Sequence, residues 1–501
     1  MRILRSIFYM VAMTMATIPF LSCSGSSADD IPQDISIVSV TPADSVPVEG
    51  GDLTIVVAAT ETPSGACDPS SFATLKTKSA KDGKFEFVYN VAANDGEARS
   101  AKFTFAISDK RVSCEVHQKA IVRTPVGDEP DNYVGLGWNL GNQLDAHVNG
   151  IANETSWGNA KATQTLFNKL KADGFHTVRI PVTWLGKVGP APDYEIDRTW
   201  LDRVYEVVEY AEKAGLRAIV NIHHDGANSE HWLNVKKAAT DAAFNTQVKD
   251  QLKAMWMQIA GRFANKGDFL IFEPFNEIHD GGWGWGDNRK DGGKQYRCVN
   301  EWNQVFIDAV RATGGNNATR YLAAVGYCTN PDLTIDNLVL PDDPAPDRLL
   351  VAVHFYDPNS FTLEATKTEW GHTGASGKKE TWGQEADVEK LFSRLKAKYV
   401  DKGIPVYLGE AGCVHHTTER AEMFRKYYME YVFKAARDNG LGIVVWDNGS
   451  KDAGRECHGY YTHDNGAYIN NSADIIAIMA KAYNTSDPAY TLKSVYDSAP
   501  Q

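Results

Sequence analysis

The sequence predicts an α/β protein: a (β/α)8 TIM barrel preceded by a small all-β, immunoglobulin-like sandwich. The chain has 501 residues, which leaves room for a barrel domain of ~250 to 370 residues and one smaller module. From residue 133 onward, eight apolar, strand-like runs alternate with amphipathic, helix-like runs, as in a barrel. Residues 35–120 instead contain short period-two runs separated by Gly, Pro, Asn and Asp, which indicates a sandwich.

Residues 1–22 have the pattern of an export signal. Arg2 and Arg5 precede an apolar run that is too short to span a membrane. The run ends just before Cys23 in a form that resembles the lipobox of bacterial lipoproteins, in which the cysteine is acylated. We therefore expect an exported lipoprotein at the outer membrane or cell surface of a Gram-negative bacterium, with residues 23–34 as a tether. The alternative is an ordinary secretory signal with an incidental cysteine.

The predicted sandwich contains four recognisable strands, at residues 53–57, 85–89, 102–107 and 112–116. Its run Arg99-Ser-Ala-Lys-Phe and its closing Val116-His-Gln resemble the BACON domains that precede polysaccharide-degrading enzymes. All twelve tryptophans lie at or after Trp138, so this domain has no indole ring to stack on a sugar. We therefore expect a spacer rather than a carbohydrate-binding module, with residues 121–132 as the linker that follows it.

The formal net charge of −13 argues against polyanionic partners. No basic cluster reverses it locally, so we expect no nucleic acid partner, and membrane contact only through a lipid at Cys23. A monomer with a neutral or cationic partner is the expectation. Cys67 with Cys114, and Cys413 with Cys457, are the disulfides to test in an oxidising compartment.

The eight strands of the barrel are predicted where apolar residues run together. They are residues 134–140, 177–184, 217–223, 269–276, 320–327, 349–356, 405–410 and 442–446. Amphipathic stretches predict helices at residues 163–172, 200–214, 243–264, 302–312, 387–399, 420–439 and 473–483. Because all strands of such a barrel are parallel, their C-terminal ends meet at one mouth, which is where a barrel carries its functional residues.

Two glutamates follow apolar strands that are far apart in the chain. Glu277 ends the run Leu270-Ile-Phe-Glu-Pro-Phe-Asn-Glu at the fourth predicted strand, and Glu410 ends Pro405-Val-Tyr-Leu-Gly-Glu at the seventh. One glutamate at a strand end is as often a solvated loop residue, but two would face each other across the mouth. Paired carboxylates of this kind are the groups that cleave glycosidic bonds.

Six motifs at the strand ends make the pattern more specific. They are Gly137-Trp-Asn-Leu-Gly-Asn, Thr177-Val-Arg-Ile-Pro, Asn221-Ile-His-His-Asp, Phe275-Asn-Glu, His354-Phe-Tyr and Leu408-Gly-Glu-Ala-Gly. With these motifs the chain resembles glycoside hydrolase family 5, and within it the fourth subfamily of endo-β-1,4-glucanases and xyloglucanases. The resemblance implies a catalytic domain at residues 133–501 that hydrolyses β-glucan polysaccharides with retention and needs no cofactor. Xyloglucan or mixed-linkage glucan is the expected substrate.

The resemblance implies distinct roles for the two glutamates. Glu410 would attack the anomeric carbon, while Glu277 would protonate the leaving oxygen and later deprotonate water. Arg179 would keep Glu410 ionised, and an ionised Glu410 is expected to raise the pKa of Glu277. Asn276 would bind the 2-hydroxyl of the sugar, and Tyr356 would donate a hydrogen bond to Glu410.

Further residues of the motifs are expected to bind or support the substrate. Trp446, at the end of the eighth strand, is the expected stacking platform, with a core side chain as the alternative. His354 alternates with Tyr356 and so shares its strand face. Asn142, which closes the first motif, joins this set.

His223 and His224 invite a metal interpretation, with Asp225 as a third ligand. Adjacent residues of a strand point to opposite faces, so both histidines cannot easily bind one ion unless the strand has already ended. We therefore expect no catalytic metal. His223 is expected to face inward and bind sugar, and His224 to reach the rim.

The loops are expected to determine which glucan is bound. Gly281-Gly-Trp-Gly-Trp-Gly offers Trp283 and Trp285 directly after the acid/base, and Trp232, Trp370 and Trp382 lie in other loops. Such rings favour an open cleft and internal cleavage, although part of them are expected only to pack beneath loops.

Two residues depart from the usual motif sequences of the family. Ile278 stands where a proline often follows Asn-Glu, and Ala411 where an aromatic residue often follows the nucleophile. Neither change removes a catalytic group, but residue 411 helps to shape the first leaving-side subsite. A β-mannanase or a simple cellulase therefore remains the nearest alternative. A non-catalytic glycan-binding protein is the alternative from another class, and the presence of both glutamates argues against it.

Overall fold

The computed structural model describes residues 35–43, 45–47, 50–92, 94, 99–118 and 132–501. The predicted signal peptide, the tether with Cys23 and nearly all of the linker lie outside these ranges. Contacts between residues divide the chain into two compact units, a smaller N-terminal β unit and a larger unit that contains the barrel. Within the described ranges, no helix combines the length and the apolar character that crossing a bilayer requires.

The N-terminal strands form two sheets. The first has four strands in the order Ile35–Thr41, Gly51–Ala59, Lys84–Val91 and Ala73–Lys81, and the second has three in the order Ser64–Asp68, Arg99–Ile107 and Lys110–Gln118. Rings from the two sheets meet in the core: the centroids of Phe87 and Phe105 are 4.7 Å apart, and those of Tyr89 and Phe103 are 4.9 Å apart. An all-β module therefore precedes the barrel, as predicted.

Three strands of this module were not predicted. Ala73–Lys81 has almost no buried residue, because it is an edge strand rich in Lys, Thr and Ser. Ile35–Thr41 and Ser64–Asp68 are likewise mostly half-buried or exposed. A strand that buries little apolar surface leaves only a weak period-two signal.

Eight parallel strands close into a barrel. They are Leu136–Asn139, Thr177–Ile180, Arg217–Val220, Leu270–Phe272, Leu322–Val325, Leu349–Phe355, Val406–Ala411 and Gly442–Val445. The eighth strand pairs with the first, with Ile443 opposite Leu136 and Val445 opposite Trp138, so the sheet has no free edge. The predicted TIM barrel is confirmed.

The helices surround the barrel. They are Gln164–Ala172, Arg198–Ala214, Val235–Ala238, Ala242–Arg262, Lys294–Ala312, Pro331–Asn337, Asn359–Thr362, Glu385–Lys398, Glu419–Asp438, Ser472–Asn484 and Leu492–Asp497. The helix between the fifth and sixth strands, Pro331–Asn337, was missed because seven residues are too few for a visible period. Its start is nonetheless well defined, since the Asn330 side chain accepts a hydrogen bond from the Leu333 amide.

Seven of the eight barrel strands end earlier than predicted, which changes the setting of Glu277. The fourth strand ends at Phe272, so Glu277 lies on the loop that follows it rather than at the strand end. Pro274 has no amide proton with which to extend a ladder. The amides of Glu273 and Asn276 instead donate to the carbonyl oxygens of Val220 and Ile222, respectively, each at 2.9 Å. Glu410, in contrast, lies within its strand.

The two proposed disulfides are absent: all four cysteines have free thiols. Cys67 lies on Ser64–Asp68 and Cys114 on Lys110–Gln118, and Arg99–Ile107 lies between these strands. Two strand spacings amount to about 9.5 Å, beyond the reach of a disulfide. The Cys413 and Cys457 thiols contact different carbonyls, those of Phe361 and Arg455.

Candidate active site

The two glutamates lie close together at the mouth of the barrel. One carboxylate oxygen of Glu277, one of Glu410 and one ring nitrogen of His354 all lie within 4.8 Å of one another. The Glu410 side chain is 8% exposed and that of Glu277 is 20% exposed. Both carboxylates can therefore reach one bond of a bound molecule, and both are largely shielded from water.

Arg179, on the second strand, is the cation at the centre of the site. Its Nη1 donates to Glu410 Oε1 at 2.9 Å and to Asn139 Oδ1 at 3.0 Å, and its Nη2 donates to Asn276 Oδ1 at 2.8 Å. The side chain is fully buried, so water hardly screens its charge. Because Asn276 accepts through Oδ1, its Nδ2 is the atom left to donate to a substrate hydroxyl.

Arg179 also pairs with Glu273, a buried carboxylate that the sequence interpretation missed. Nη2 and Nε of Arg179 lie 2.7 and 3.2 Å from its two oxygens. Asn221 Nδ2 and the Tyr407 hydroxyl donate to the same carboxylate at 2.9 and 2.6 Å. The sequence did contain a signal for Glu273, because it is a single charged residue inside an apolar run. A carboxylate that is buried there requires a charged or hydrogen-bonding partner.

Two carboxylates thus share one guanidinium, and this affects the charge of Glu410. Burial raises the pKa of the Glu410 carboxyl, and the charges of His354 and Arg179 offset only part of that rise. Tyr356 donates its hydroxyl proton to Glu410 Oε2 at 3.2 Å, which is the contact expected from the sequence. Arg179 favours the ionised form of Glu410, as expected. The negative charge of Glu273, which pairs with the same guanidinium, reduces this effect.

Glu277 is held mainly by His354. The His354 Nδ1 lies 2.6 Å from Glu277 Oε1, and the Thr329 hydroxyl lies 3.4 Å from the same oxygen. Burial favours the protonated carboxyl, but the hydrogen bond and charge of His354, together with the charges of His279 and Arg179, outweigh it and hold the pKa of Glu277 below its ordinary value. The expectation that Glu277 has a raised pKa in the free protein is therefore wrong, and repulsion between the two carboxylates instead raises the pKa of Glu410.

His223 and His224 do come together, contrary to the strand argument. The third strand ends at Val220, and the two histidine rings are 4.5 Å apart. His223 faces inward, with Nε2 at 3.9 Å from Glu410 Oε1, whereas His224 lies toward the rim against Trp157.

Hydrogen bonds give a different reason to doubt a metal here. Asp145, His223 and His224 each place one possible ligand atom within 4.8 Å of the others. However, Asn221 Nδ2 donates to His223 Nδ1 at 3.2 Å, which leaves the imidazole proton on Nε2 and no lone pair for an ion. Asp225, the third ligand considered, accepts instead from the Trp184 amide and from Trp232 Nε1.

Trp446 forms one wall of the site. Its ring is stacked on His223, with the centroids 5.9 Å apart and the planes within 5°. Gly141 lies directly behind it, and a Cβ at that position would come within 2.7 Å of the indole. Asn142 follows, with its amide donating to Asp145 and its carbonyl accepting from Asn159, so its part in substrate binding stays a prediction.

The loop after Glu277 presents two exposed indole rings. Trp283 is 56% exposed and Trp285 is 78% exposed. Asp280 fixes the loop, because its carboxylate accepts from the amides of Gly282 and Asn288 at 2.9 and 3.0 Å. Exposed apolar rings on a fixed loop are available for stacking with a ligand.

The other loop tryptophans divide as expected between packing and exposure. Trp370 is fully buried against Tyr427 and Tyr428 and is therefore part of the core. Trp232 is anchored to Asp225 through its indole nitrogen. Trp382 is 44% exposed.

This arrangement can carry out acid/base and nucleophilic chemistry on one bond. Glu410 offers a carboxylate oriented by Arg179 and Tyr356, and Glu277 offers a second carboxylate in contact with an imidazole. Tyr356 contacts Glu410, and Trp446 is stacked on the neighbouring His223. A pyranose ring with polar edges and apolar faces fits such surroundings.

Comparisons with known proteins agree with this chemistry. A family model described as cellulase (glycosyl hydrolase family 5) matches residues 142–452. Endoglucanase A of Paenibacillus barcinonensis is 38% identical over 333 residues, which cover 63% of this chain and 81% of that protein.

Two solved structures are also similar. A GH5-4 broad specificity endoglucanase from Bacteroides salanitronis superposes with a TM-score of 0.70 and 57% identity, covering 72% of this chain and 97% of that chain. A Bacteroides ovatus GH5 xyloglucanase, in complex with a XXXG heptasaccharide, superposes with a TM-score of 0.63 and 29% identity, covering 90% of this chain and 100% of that chain.

The sharing of Arg179 makes a testable prediction about Glu410. Glu273→Gln removes one negative charge while its side chain can still bond Asn221 and Tyr407. Because the charge of Arg179 then acts on Glu410 alone, we expect the pKa of Glu410 to fall. Carboxyl-carbon NMR titration, with Glu410→Gln to identify the signal, measures it.

The matched control for this titration is Asp343→Asn. Asp343 belongs to another buried ion pair, with Arg311, outside the site. That variant should leave the titration of Glu410 unchanged. An unchanged or higher Glu410 pKa in Glu273→Gln would contradict the shared-charge interpretation.

Proposed function

The chain belongs to glycosyl hydrolase family 5, and we propose that it is a retaining endo-β-1,4-glucanase acting on xyloglucan or mixed-linkage glucan of plant cell walls. The observation that carries this mechanism is the closeness of the two carboxylates, with oxygens within 4.8 Å. Retaining enzymes place them about 5–5.5 Å apart, whereas inverting enzymes leave about 6.5–9.5 Å for a water molecule.

In the first step, Glu410 displaces the leaving sugar. A Glu410 oxygen forms a bond to the anomeric carbon as the glycosidic bond breaks, and the acid proton of Glu277 passes to the leaving oxygen. Arg179 orients the attacking carboxylate, and Asn276 Nδ2 donates to the 2-hydroxyl as positive charge develops on the ring. Tyr356 and Arg179 contact different oxygens of Glu410, which fixes the plane of the carboxylate.

The acid proton of Glu277 is gained when substrate covers the site. In the free protein His354 lowers the pKa of Glu277, whose side chain is still 20% exposed. A sugar bound against this side chain displaces the remaining water, which favours the neutral carboxyl. In the second step Glu277, now ionised, takes a proton from the water that attacks the glycosyl-enzyme.

Two features support a long, branched or mixed-linkage glucan as substrate. Trp283 and Trp285 extend the binding surface well beyond the carboxylate pair, as an internal stretch of polysaccharide requires. A solved structure with 57% identity is named a broad specificity endoglucanase, and another similar structure holds a xyloglucan-type heptasaccharide. The second of these covers 90% of this chain.

We also propose that the enzyme is a surface lipoprotein that acts as a monomer, with a BACON-type domain as spacer. The export signal and Cys23 support the lipid anchor. The N-terminal domain supports a spacer role, because its aromatic side chains Phe87, Tyr89, Phe103 and Phe105 are buried rather than exposed for stacking on a sugar.

Substrate choice is tested by product analysis with purified residues 33–501. We expect faster release of heptamer- to nonamer-sized fragments from xyloglucan than of products from unbranched mixed-linkage glucan, because the open cleft that we propose would admit side chains. Glu277→Gln should reduce glucan hydrolysis by at least 100-fold, since general acid catalysis contributes about that much. Activity confined to mannan would refute the glucanase assignment.

Lipid anchoring is tested by labelling expressing cells with a palmitate analogue. The full chain should incorporate the label and fractionate with membranes, and Cys23→Ala should do neither, because acylation needs that thiol. Cys67→Ala is the matched control and should behave as wild type. A soluble, unlabelled wild-type protein would mean that residues 1–22 are an ordinary secretory signal.

A further inference from the structure

The segment after the fifth barrel strand contains two consecutive residues in the left-handed backbone region. Cys328 has φ 55° and Thr329 has φ 47°, and both are buried. Neither is glycine, and a β-branched residue such as threonine adopts this conformation only at a conformational cost. A backbone of this kind persists where surrounding contacts enforce it, and it is concentrated at functional sites.

The contacts that enforce it connect this segment to the loop of the acid/base. The Cys328 amide donates to the carbonyl of Ile278 at 2.9 Å, one residue beyond Glu277. The Asp280 amide donates to the Tyr327 hydroxyl at 3.0 Å, and that hydroxyl donates to Gln295. The two loops therefore form one hydrogen-bonded unit around Glu277.

Within this unit, the hydroxyl of Thr329 faces Glu277. Its Oγ1 lies 3.4 Å from Glu277 Oε1 and 2.6 Å from the Cys328 carbonyl oxygen. His354 Nδ1 lies 2.6 Å from the same Oε1. In the part of the chain that the structure describes, the other oxygen, Oε2, has no side-chain or amide donor.

We propose that Thr329 is a positioning residue of the acid/base, in an extension of the proposed function: with His354 it holds Glu277 Oε1, so that Oε2 delivers the proton to the leaving oxygen. Two contacts to one oxygen fix the plane of the carboxyl. With His354 as the only contact, the carboxyl could rotate about its hydrogen bond to His354. The left-handed backbone at Thr329 directs the hydroxyl toward Glu277. This contact accounts for the strained backbone.

The hydroxyl also has two acceptors that suit the two states of Glu277. While Glu277 is protonated on Oε2, the Thr329 hydroxyl shares its proton between Glu277 Oε1 and the nearer Cys328 carbonyl oxygen. After the Oε2 proton has passed to the leaving oxygen, Glu277 is an anion, and the Thr329 hydroxyl can turn its proton to Oε1. Thr329 keeps its proton throughout, so it stabilises the anion without taking part in proton transfer.

The test compares leaving groups that do and do not need an acid. Phenoxide needs protonation to leave an aryl β-cellobioside, whereas 2,4-dinitrophenoxide does not. We expect Thr329→Val, which keeps the shape but loses the hydroxyl, to reduce kcat/KM about tenfold with the phenyl glycoside. With the dinitrophenyl glycoside the reduction should stay below about twofold, because that step does not use Glu277 as an acid.

Two further variants separate the hydroxyl from the backbone. Thr329→Ser keeps the hydroxyl and should retain the wild-type dependence on the leaving group. Thr329→Gly suits the positive φ and therefore keeps the fold, but it should show the same selective loss as Thr329→Val. This variant keeps the test valid if Thr329→Val is poorly folded, as judged by thermal unfolding.

Two results would overturn the proposal. Equal losses with both glycosides would mean that Thr329 supports the fold alone, and an equal defect in Thr329→Ser and Thr329→Val would exclude the hydroxyl. Wild-type protein that fails to hydrolyse glucan and both aryl glycosides would instead refute the proposed function. The two failures are therefore distinguishable.

Discussion

The site depends on one buried guanidinium shared by two buried carboxylates. Arg179 is the ion-pair partner of both Glu273 and Glu410, and it also orients Asn139 and Asn276. Loss of one partner from such a buried pair costs about 3–5 kcal/mol, because a charge is left without compensation. Asn221 and Tyr407 hold the Glu273 carboxylate, and Glu273 in turn holds Arg179. Arg179 is therefore fixed in position when it orients Glu410.

The two carboxylates that we propose to react have different supports, in keeping with the tasks proposed for them. Glu410 stands inside the strand Val406–Ala411, next to a fixed cation, as suits a group that must attack one carbon atom along one line. Glu277 stands on a loop that is hydrogen-bonded to the segment Tyr327–Thr329, and it contacts the His354 imidazole and is partly exposed, which suits a group that must bind and release a proton. Exposed aromatic rings, those of Trp283 and Trp285, lie on the loop that follows Glu277.

Local signals predicted most of the fold and the two carboxylates that the barrel brings together. The eight apolar runs identified every barrel strand, and Glu277 and Glu410 each stand next to such a run. Glu273 could not be placed, because its partner Arg179 is distant in sequence and only barrel closure brings them together. Thr329 has no sequence signal, since its role depends on a left-handed backbone. The meeting of His223 and His224 depended on where the third strand ends, which apolar patterns locate poorly.

The most direct test of this account is covalent trapping of the nucleophile. A 2-deoxy-2-fluoro-cellobioside with a 2,4-dinitrophenyl leaving group slows both steps, but its activated leaving group still allows the glycosyl-enzyme to form. Mass spectrometry of the digested protein should then find one 2-deoxy-2-fluorocellobiosyl label per chain, on the peptide and residue of Glu410. A label on Glu277, or rapid release of the α-anomer without any label, would contradict the assignment of Glu410 as the nucleophile held by Arg179.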